Sequence, residues 1–182
     1  MSFEGSLIHS LQMMLRSPIG IFFSILCARW LIFLEVAWVL VLGITMHDSK
    51  GRHAVKEAFI AMLIALYGAL TVSQLIGRPR PFMVEASVLS LVPVPLSMNA
   101  LPSAHASAAF ALALTLAWTK PKAALVPLFL AVAIGFGRVA VGVHYPTDVL
   151  AGVLMGCIAA FIVRLLHAAL RRTTLYREQT HG

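Results

Sequence analysis

The sequence is short of charge. Only 12% of its 182 residues are Asp, Glu, Lys or Arg, about half the share of a typical soluble domain. That shortage excludes a water-soluble globule. With 60% hydrophobic residues and a mean hydropathy of +0.90, the chain reads as an integral membrane protein. Cysteine is scarce too. Cys27 and Cys157 both lie in apolar runs without metal-like spacing, which argues against a disulfide or a thiolate site and for small buried hydrophobes. No His and carboxylate cluster has the look of a metal site, so no cofactor is expected. Nor is there an internal repeat, a low-complexity segment or a removable signal peptide, since the first apolar run begins only after Arg16. The net charge of +7 and the pI near 10.1 come from cations at the ends of apolar runs. There they set topology and meet anionic headgroups, so membrane lipids rather than nucleic acid are the expected partners.

What is present is a series of apolar runs. Residues 5–15 place Leu7, Ile8, Leu11, Met14 and Leu15 at helical spacing, too short to span, and predict an interfacial helix that Pro18 ends. Residues 19–46 exceed the roughly 20 needed to cross a bilayer. They predict one tilted helix, or a re-entrant half followed by a helix, with Arg29 and Glu35 paired or snorkelling. Further spans are predicted at 54–76, 104–118, 123–143 and 146–166. The expected fold is all-α: a polytopic bundle of five to six spans plus the interfacial helix, forming a single membrane-embedded domain over 1–182 with its motif-bearing core at about 54–170.

Orientation follows from the loops. The segments His47–His53 and Thr119–Lys122, and a tail carrying Arg164, Arg171, Arg172 and Arg177, are basic and alternate onto one side. The positive-inside rule makes that side cytoplasmic. The opposite face then receives residues 77–103 and the turn around His144.

Three polar clusters converge there. Arg78 and Arg80 alternate with Pro79 and Pro81, an extended arrangement suited to phosphate oxygens. Ser103 is a candidate N-cap for an Ala-rich helix whose free first-turn amides suit an anion. His105, in that first turn, is positioned to deliver a proton to a leaving oxygen. Arg138 interrupts an apolar run, where charge marks function by default. His144 precedes Pro146, the expected first residue of the last helix, with Asp148 in its first turn. That spacing lets a carboxylate hold one imidazole nitrogen and leaves the other to attack phosphorus. Adjacent Lys56 and Glu57 share no helix face, and His9, His47, His53, His167 and His181 read as loop or interfacial residues.

These residues resemble the three-part signature of the type 2 phosphatidic acid phosphatase superfamily: Arg80-Pro81, Pro102-Ser103-Ala104-His105, and Gly137-Arg138 followed by His144 and Asp148. The match covers about Ala54 to Gly156. Within it, the stretches 77–82 and 142–149 look most like the short bacterial undecaprenyl-diphosphate phosphatases. Ser73 stands where the family pattern usually has Lys, Ala104 where it has Gly, and Gly137 where it has Ser.

The resemblance implies a phosphohistidine on His144, oriented by Asp148, with His105 as general acid and no metal. Arg80, Arg138 and the Ser103-Ala104 amides would hold the phosphoryl oxygens, helped by Arg78 in place of the missing Lys. The implied reaction converts undecaprenyl diphosphate to undecaprenyl phosphate at the extracytoplasmic face of the bacterial inner membrane. The same residues fit a phosphatase or phosphotransferase for another lipid phosphate, such as phosphatidylglycerophosphate, phosphatidic acid or lipid A. A lipid-binding protein that kept the fold without catalysis is the non-enzyme alternative. Hydropathy excludes a soluble haloperoxidase relative. Oligomeric state is not legible.

Overall fold

The structure is a computed structural model describing residues 2–95 and 99–181, with residues 172–181 described as helix backbone only. The side chains of Arg172, Arg177 and His181 therefore lie outside the described residues. Helix α1 (Phe3–Met14) is followed by α2 (Pro18–Ile25), a π-helical turn (Leu26–Trp30), α3 (Leu31–Thr45), α4 (Ser49–Ile76), the short α5 (Pro81–Val84), α6 (Ala104–Ala117), α7 (Pro121–Ala140) and α8 (Pro146–His181). Among the described residues no strand occurs, and the all-helical expectation is met.

Among the described residues, four helical segments are long and apolar enough to cross a membrane: Pro18–Thr45, Ser49–Val84, Pro121–Ala140 and Pro146–Arg171. Helix α6, with 14 residues, reaches only about 21 Å. It runs through the middle of the bundle against α4, α7 and α8. Its Ala106, Ala109, Ala111 and Ala113 are fully buried, so neighbouring backbones approach closely. On α8 the closest approaches fall at glycines. A Cβ on Gly152 would lie 2.8 Å from the Ser103 carbonyl oxygen, and one on Gly156 2.8 Å from the Ala111 amide. Large side chains such as Phe33, Ile44, Leu75, Phe129, Leu150 and Phe161 point outward, as a lipid-facing surface requires.

Pro18 to Thr45 forms one continuous pass rather than a re-entrant half and a helix, with the π-helical turn in its middle. Gly137 lets α7 pack on that turn, since a Cβ there would sit 2.5 Å from the Ala28 amide. Arg29 and Glu35 do not pair. Arg29 is exposed, 5.9 Å from the Trp30 ring centre, whereas Glu35 is fully buried with neither carboxyl oxygen hydrogen-bonded.

Helix α1 begins at Ser2, whose hydroxyl accepts from the Gly5 amide at 3.0 Å. It docks through Ile8, packed with Val88 and Tyr145. His9 Nδ1 donates to the Ser87 carbonyl at 2.9 Å, and Gln12 Nε2 to the Leu89 and Ala140 carbonyls at 2.7 and 3.2 Å. Its predicted amphipathic face is thus partly covered by protein.

Candidate active site

Each passing helix delivers one or two polar groups to the same end of the bundle. Helix α4 stops at Gly77, whose φ of 67° reverses the chain. The following turn buries Arg80 to 4% exposure and lets its Nη1 donate to the Val143 carbonyl at 3.1 Å. Arg138, 6% exposed in the last turn of α7, donates through Nη1 to the Ala28 carbonyl of the π-helical turn at 3.2 Å. A π-helical irregularity at a functional site is a recurring arrangement.

His144 is set by the tight turn at Gly142, where φ is 77° and a Cβ would collide with the Leu89 carbonyl at 2.2 Å. Its Nδ1 lies 2.8 Å from the Ala100 carbonyl oxygen. A carbonyl can only accept, so Nδ1 carries the proton and Nε2 keeps a free electron pair. Arg138 Nη2 is 3.4 Å from that Nε2. Burial, first of all, pulls the imidazole down to about 4; Arg138 and Arg80 add to the shift and Asp148 opposes it. The ring is therefore neutral around pH 7, the state a nucleophile needs.

The structure departs from the sequence expectation at three residues. Asp148 Oδ2 lies 3.7 Å from His144 Nδ1, and the close bond to that nitrogen belongs to Ala100. Asp148 is instead a hub: Oδ2 accepts from the Tyr145 amide at 2.7 Å and Oδ1 from Arg78 Nη1 at 2.6 Å. As the third residue of α8 it caps the residue just before that helix, which fixes the loop holding His144. Arg78 does not join Arg80. It spans Asp148 and Glu4, 2.9 Å from Glu4 Oε2, and stacks 4.2 Å over the Tyr145 ring. The Ser103 amide, expected to hold a phosphoryl oxygen, donates to the Asp148 backbone carbonyl at 3.0 Å, and Ser103 Oγ is buried without a hydrogen bond. Ser103 stands in the N-cap position of α6, but its side chain does not cap. The α6 ladder starts at Ser107 N–H to Ser103 O, so the amides of Ala104, His105 and Ala106 precede it and face the end of the helix.

Arg80, Ala104, His105, Arg138 and His144 line one cavity of about 720 Å³. Ser73, at the usual family Lys position, lines it as well, with Gln74 and Asn99. Away from these polar groups the walls are mostly apolar: Arg29 of the π-helical turn is followed by Ile32, Phe33 and Val36 on α3, which face Met62, Leu66 and Leu70 on α4. The cavity thus has a cationic head and an apolar flank between two helices. Among the described residues, no three His, Cys, Asp or Glu side chains gather in a way that could hold a metal ion.

A comparison with family models decides the family: the model described as the PAP2 superfamily matches residues 54–172, about two thirds of the sequence. The chain belongs to the PAP2 superfamily. Relatives include the bacitracin transport permease protein BcrC of Bacillus licheniformis, 31% identical over 69% of this chain and 64% of that one. A putative undecaprenyl-diphosphatase, YbjG, of Escherichia coli is 29% identical over 71% and 65%. An undecaprenyl-diphosphatase of Sulfolobus acidocaldarius is 30% identical over 70% and 62%. The chain thus spans a little under two thirds of the length of these relatives. Among solved structures, Aquifex aeolicus LpxE superposes with a TM-score of 0.67 at 24% identity, covering 87% of this chain and 92% of that one, and shares the fold.

Two participants carry no sequence signal of their own. The Ala100 carbonyl is a backbone group, invisible to residue-type reasoning. Glu4 sits in α1, ahead of the matched region, where its Oε1 accepts from the Thr147 amide at 3.0 Å and Thr147 Oγ1 at 2.8 Å.

Proposed function

We propose that this PAP2-superfamily chain is an integral-membrane lipid phosphatase that converts undecaprenyl diphosphate to undecaprenyl phosphate at the extracytoplasmic face. The observation carrying this reading is the free Nε2 pair of a neutral His144 beside Arg138, in the cavity that Arg80 and His105 also line. Nε2 attacks the terminal phosphorus, and the bond from that phosphorus to the bridging oxygen breaks. Undecaprenyl phosphate leaves, and a water then cleaves the phosphohistidine to release phosphate and restore the imidazole. Arg80, Arg138 and the α6 amides stabilise the charge on the transferring group. Asp148 acts through the loop it braces and through its charge near the imidazole. The apolar walls on α3 and α4 suit a polyprenyl chain, and relatives bearing the undecaprenyl-diphosphatase name support the substrate class. The basic loops, gathered at the opposite end, support the sidedness.

His105 in the cavity favours a second reading, hydrolysis of a lipid monophosphate. A diphosphate expels a phosphate monoester, whose second pKa is about 6, and needs little protonation. A monophosphate expels an alkoxide, for which general-acid help is typically worth about 10² to 10⁴ in rate. Phosphate release from purified protein on undecaprenyl diphosphate and on phosphatidic acid, with and without His105→Ala, separates the two. Turnover of the diphosphate with a modest His105→Ala loss supports the first reading. Turnover of phosphatidic acid alone, with a large loss, supports the second. No release from either lipid, with no acid-labile phosphate on His144, would overturn both.

A further inference from the structure

The end of the bundle away from His144 holds a second cavity. On α4, Lys50 and Glu57 lie two turns apart on one face; on α8, Arg164, His167 and Arg171 do the same. These faces meet beside the turn between α6 and α7, which contributes Lys120, and together they line a cavity of about 240 Å³. Helix α6 separates it from the first cavity by roughly 21 Å of helix.

Its charge is unbalanced. Lys120 is paired with Asp48 at 2.7 Å, and His167 with Glu57. Lys50, Arg164 and Arg171 have no carboxylate within salt-bridge distance among the described residues. Two guanidinium forks and a flexible ammonium around a concave space match the tetrahedral oxygens of a phosphate. The cavity lies where α4 and α8 reach the end of their apolar stretches, at headgroup depth. Basic pockets between transmembrane helices recurrently hold lipid phosphates. Outward-facing Phe161 and Leu165 continue from it along α8, a surface for an acyl chain.

We propose that this cavity is a binding site for a phosphate-bearing anion, separate from the phosphatase site. The phosphate belongs either to an anionic lipid headgroup or to free phosphate. The inference does not depend on the catalytic reading, because none of its residues lines the first cavity.

The test uses full-length protein in phosphatidylcholine nanodiscs. One arm follows binding of a fluorescent phosphatidylglycerol; the other titrates inorganic phosphate as competitor. Wild type should bind phosphatidylglycerol saturably, and Arg164→Gln with Arg171→Gln should weaken that binding about tenfold or more. Lys50→Gln, an exposed single change, should weaken it by a smaller factor and covers the case in which the double variant fails to fold. Arg16→Gln, outside the cavity, should not. Competition by millimolar phosphate in wild type only means that the bare anion suffices; absence of competition assigns the site to a lipid headgroup. Equal binding by wild type, the double variant and Lys50→Gln would overturn the proposal.

Discussion

Both ends of this bundle are rich in cations, yet they treat them in opposite ways. Around His144 the guanidinium groups of Arg80 and Arg138 are 4% and 6% exposed, each held by a backbone carbonyl. At the other end the cations stay open to solvent: the Lys120 side chain, 30% exposed, pairs with Asp48, and the exposed Arg52 donates to the Met46 and His47 carbonyls. Burying a charge is costly. A fold tolerates that cost where a ligand's opposite charge offsets it, and where fixed geometry matters more than stability. On the proposed reading the first end is organised in advance for a transition state, whereas the second is adaptable and suited to binding. Residue type alone does not make this distinction; burial does.

The largest effect that would test this contrast comes from the proposed nucleophile, His144. His144→Ala should leave the fold intact and lower kcat by at least about 10⁴, measured as phosphate release. Retained turnover would remove the reason for burying the two arginines. Next in size is Arg138→Lys, which keeps the charge and loses the fork that reaches both the Ala28 carbonyl and His144 Nε2. A fall of about 10² to 10³ in kcat is expected. Unchanged activity would mean that charge alone, not its fixed placement, serves at this end.

Much of this arrangement was legible in the sequence, and the remainder failed for identifiable reasons. Apolar runs set the passes because lipid demands continuous helices. Arg80, His105, Arg138 and His144 were legible because polar groups beside apolar runs are seldom incidental. Asp148 was placed correctly in the first turn of α8, but its spacing suggested a hydrogen bond to His144 that the Ala100 carbonyl makes instead. Arg78 looked equivalent to Arg80, two residues on, because an extended backbone sets residues i and i+2 on one face. Glu4, from a helix distant in sequence, instead pairs with Arg78 and holds it beside Asp148 and Tyr145. Long-range partners of this kind leave no local pattern.

The pH dependence offers a sharper reading of the buried end. An ordinary imidazole titrates near 6.5. Burial pulls His144 down to about 4, so it stays neutral, with its Nε2 pair available, as pH falls past 6.5. The acid limb of kcat/KM attributable to the nucleophile should lie near 4, as read from initial rates between pH 3.5 and 8 with stability checked at each point. A limb near 6.5 would mean that the site is wetter than its geometry implies.

A smaller effect is expected at Glu4, which touches no cavity-lining group. It holds Arg78 and Thr147, and Arg78 in turn holds Asp148. Glu4→Gln should lower kcat roughly three- to tenfold, less than losing a direct contact, with KM little changed. A loss as large as that of Arg138→Lys would place α1 within the catalytic machinery rather than beside it.

The smallest expected effect lies at the opposite end and is one of stability. Asp48 accepts from the Gly51 amide at 3.0 Å as the N-cap of α4 and pairs with Lys120. The Lys120 ammonium, first among its contacts, holds its carboxyl below the usual range. Asp48→Ala removes the cap and should lower the melting temperature by about 2–4 °C. Because the folded-state pKa is depressed, the contribution is fully present above the unfolded value near 3.9 and fades as pH falls through the folded one. The melting curves of wild type and variant should therefore converge in acid. Turnover at neutral pH and 25 °C should be unchanged, because the cap lies at the far end of the long α4 from Arg80. A fall in kcat alongside the melting temperature would show that the two ends are coupled through α4 and that their division of labour is incomplete.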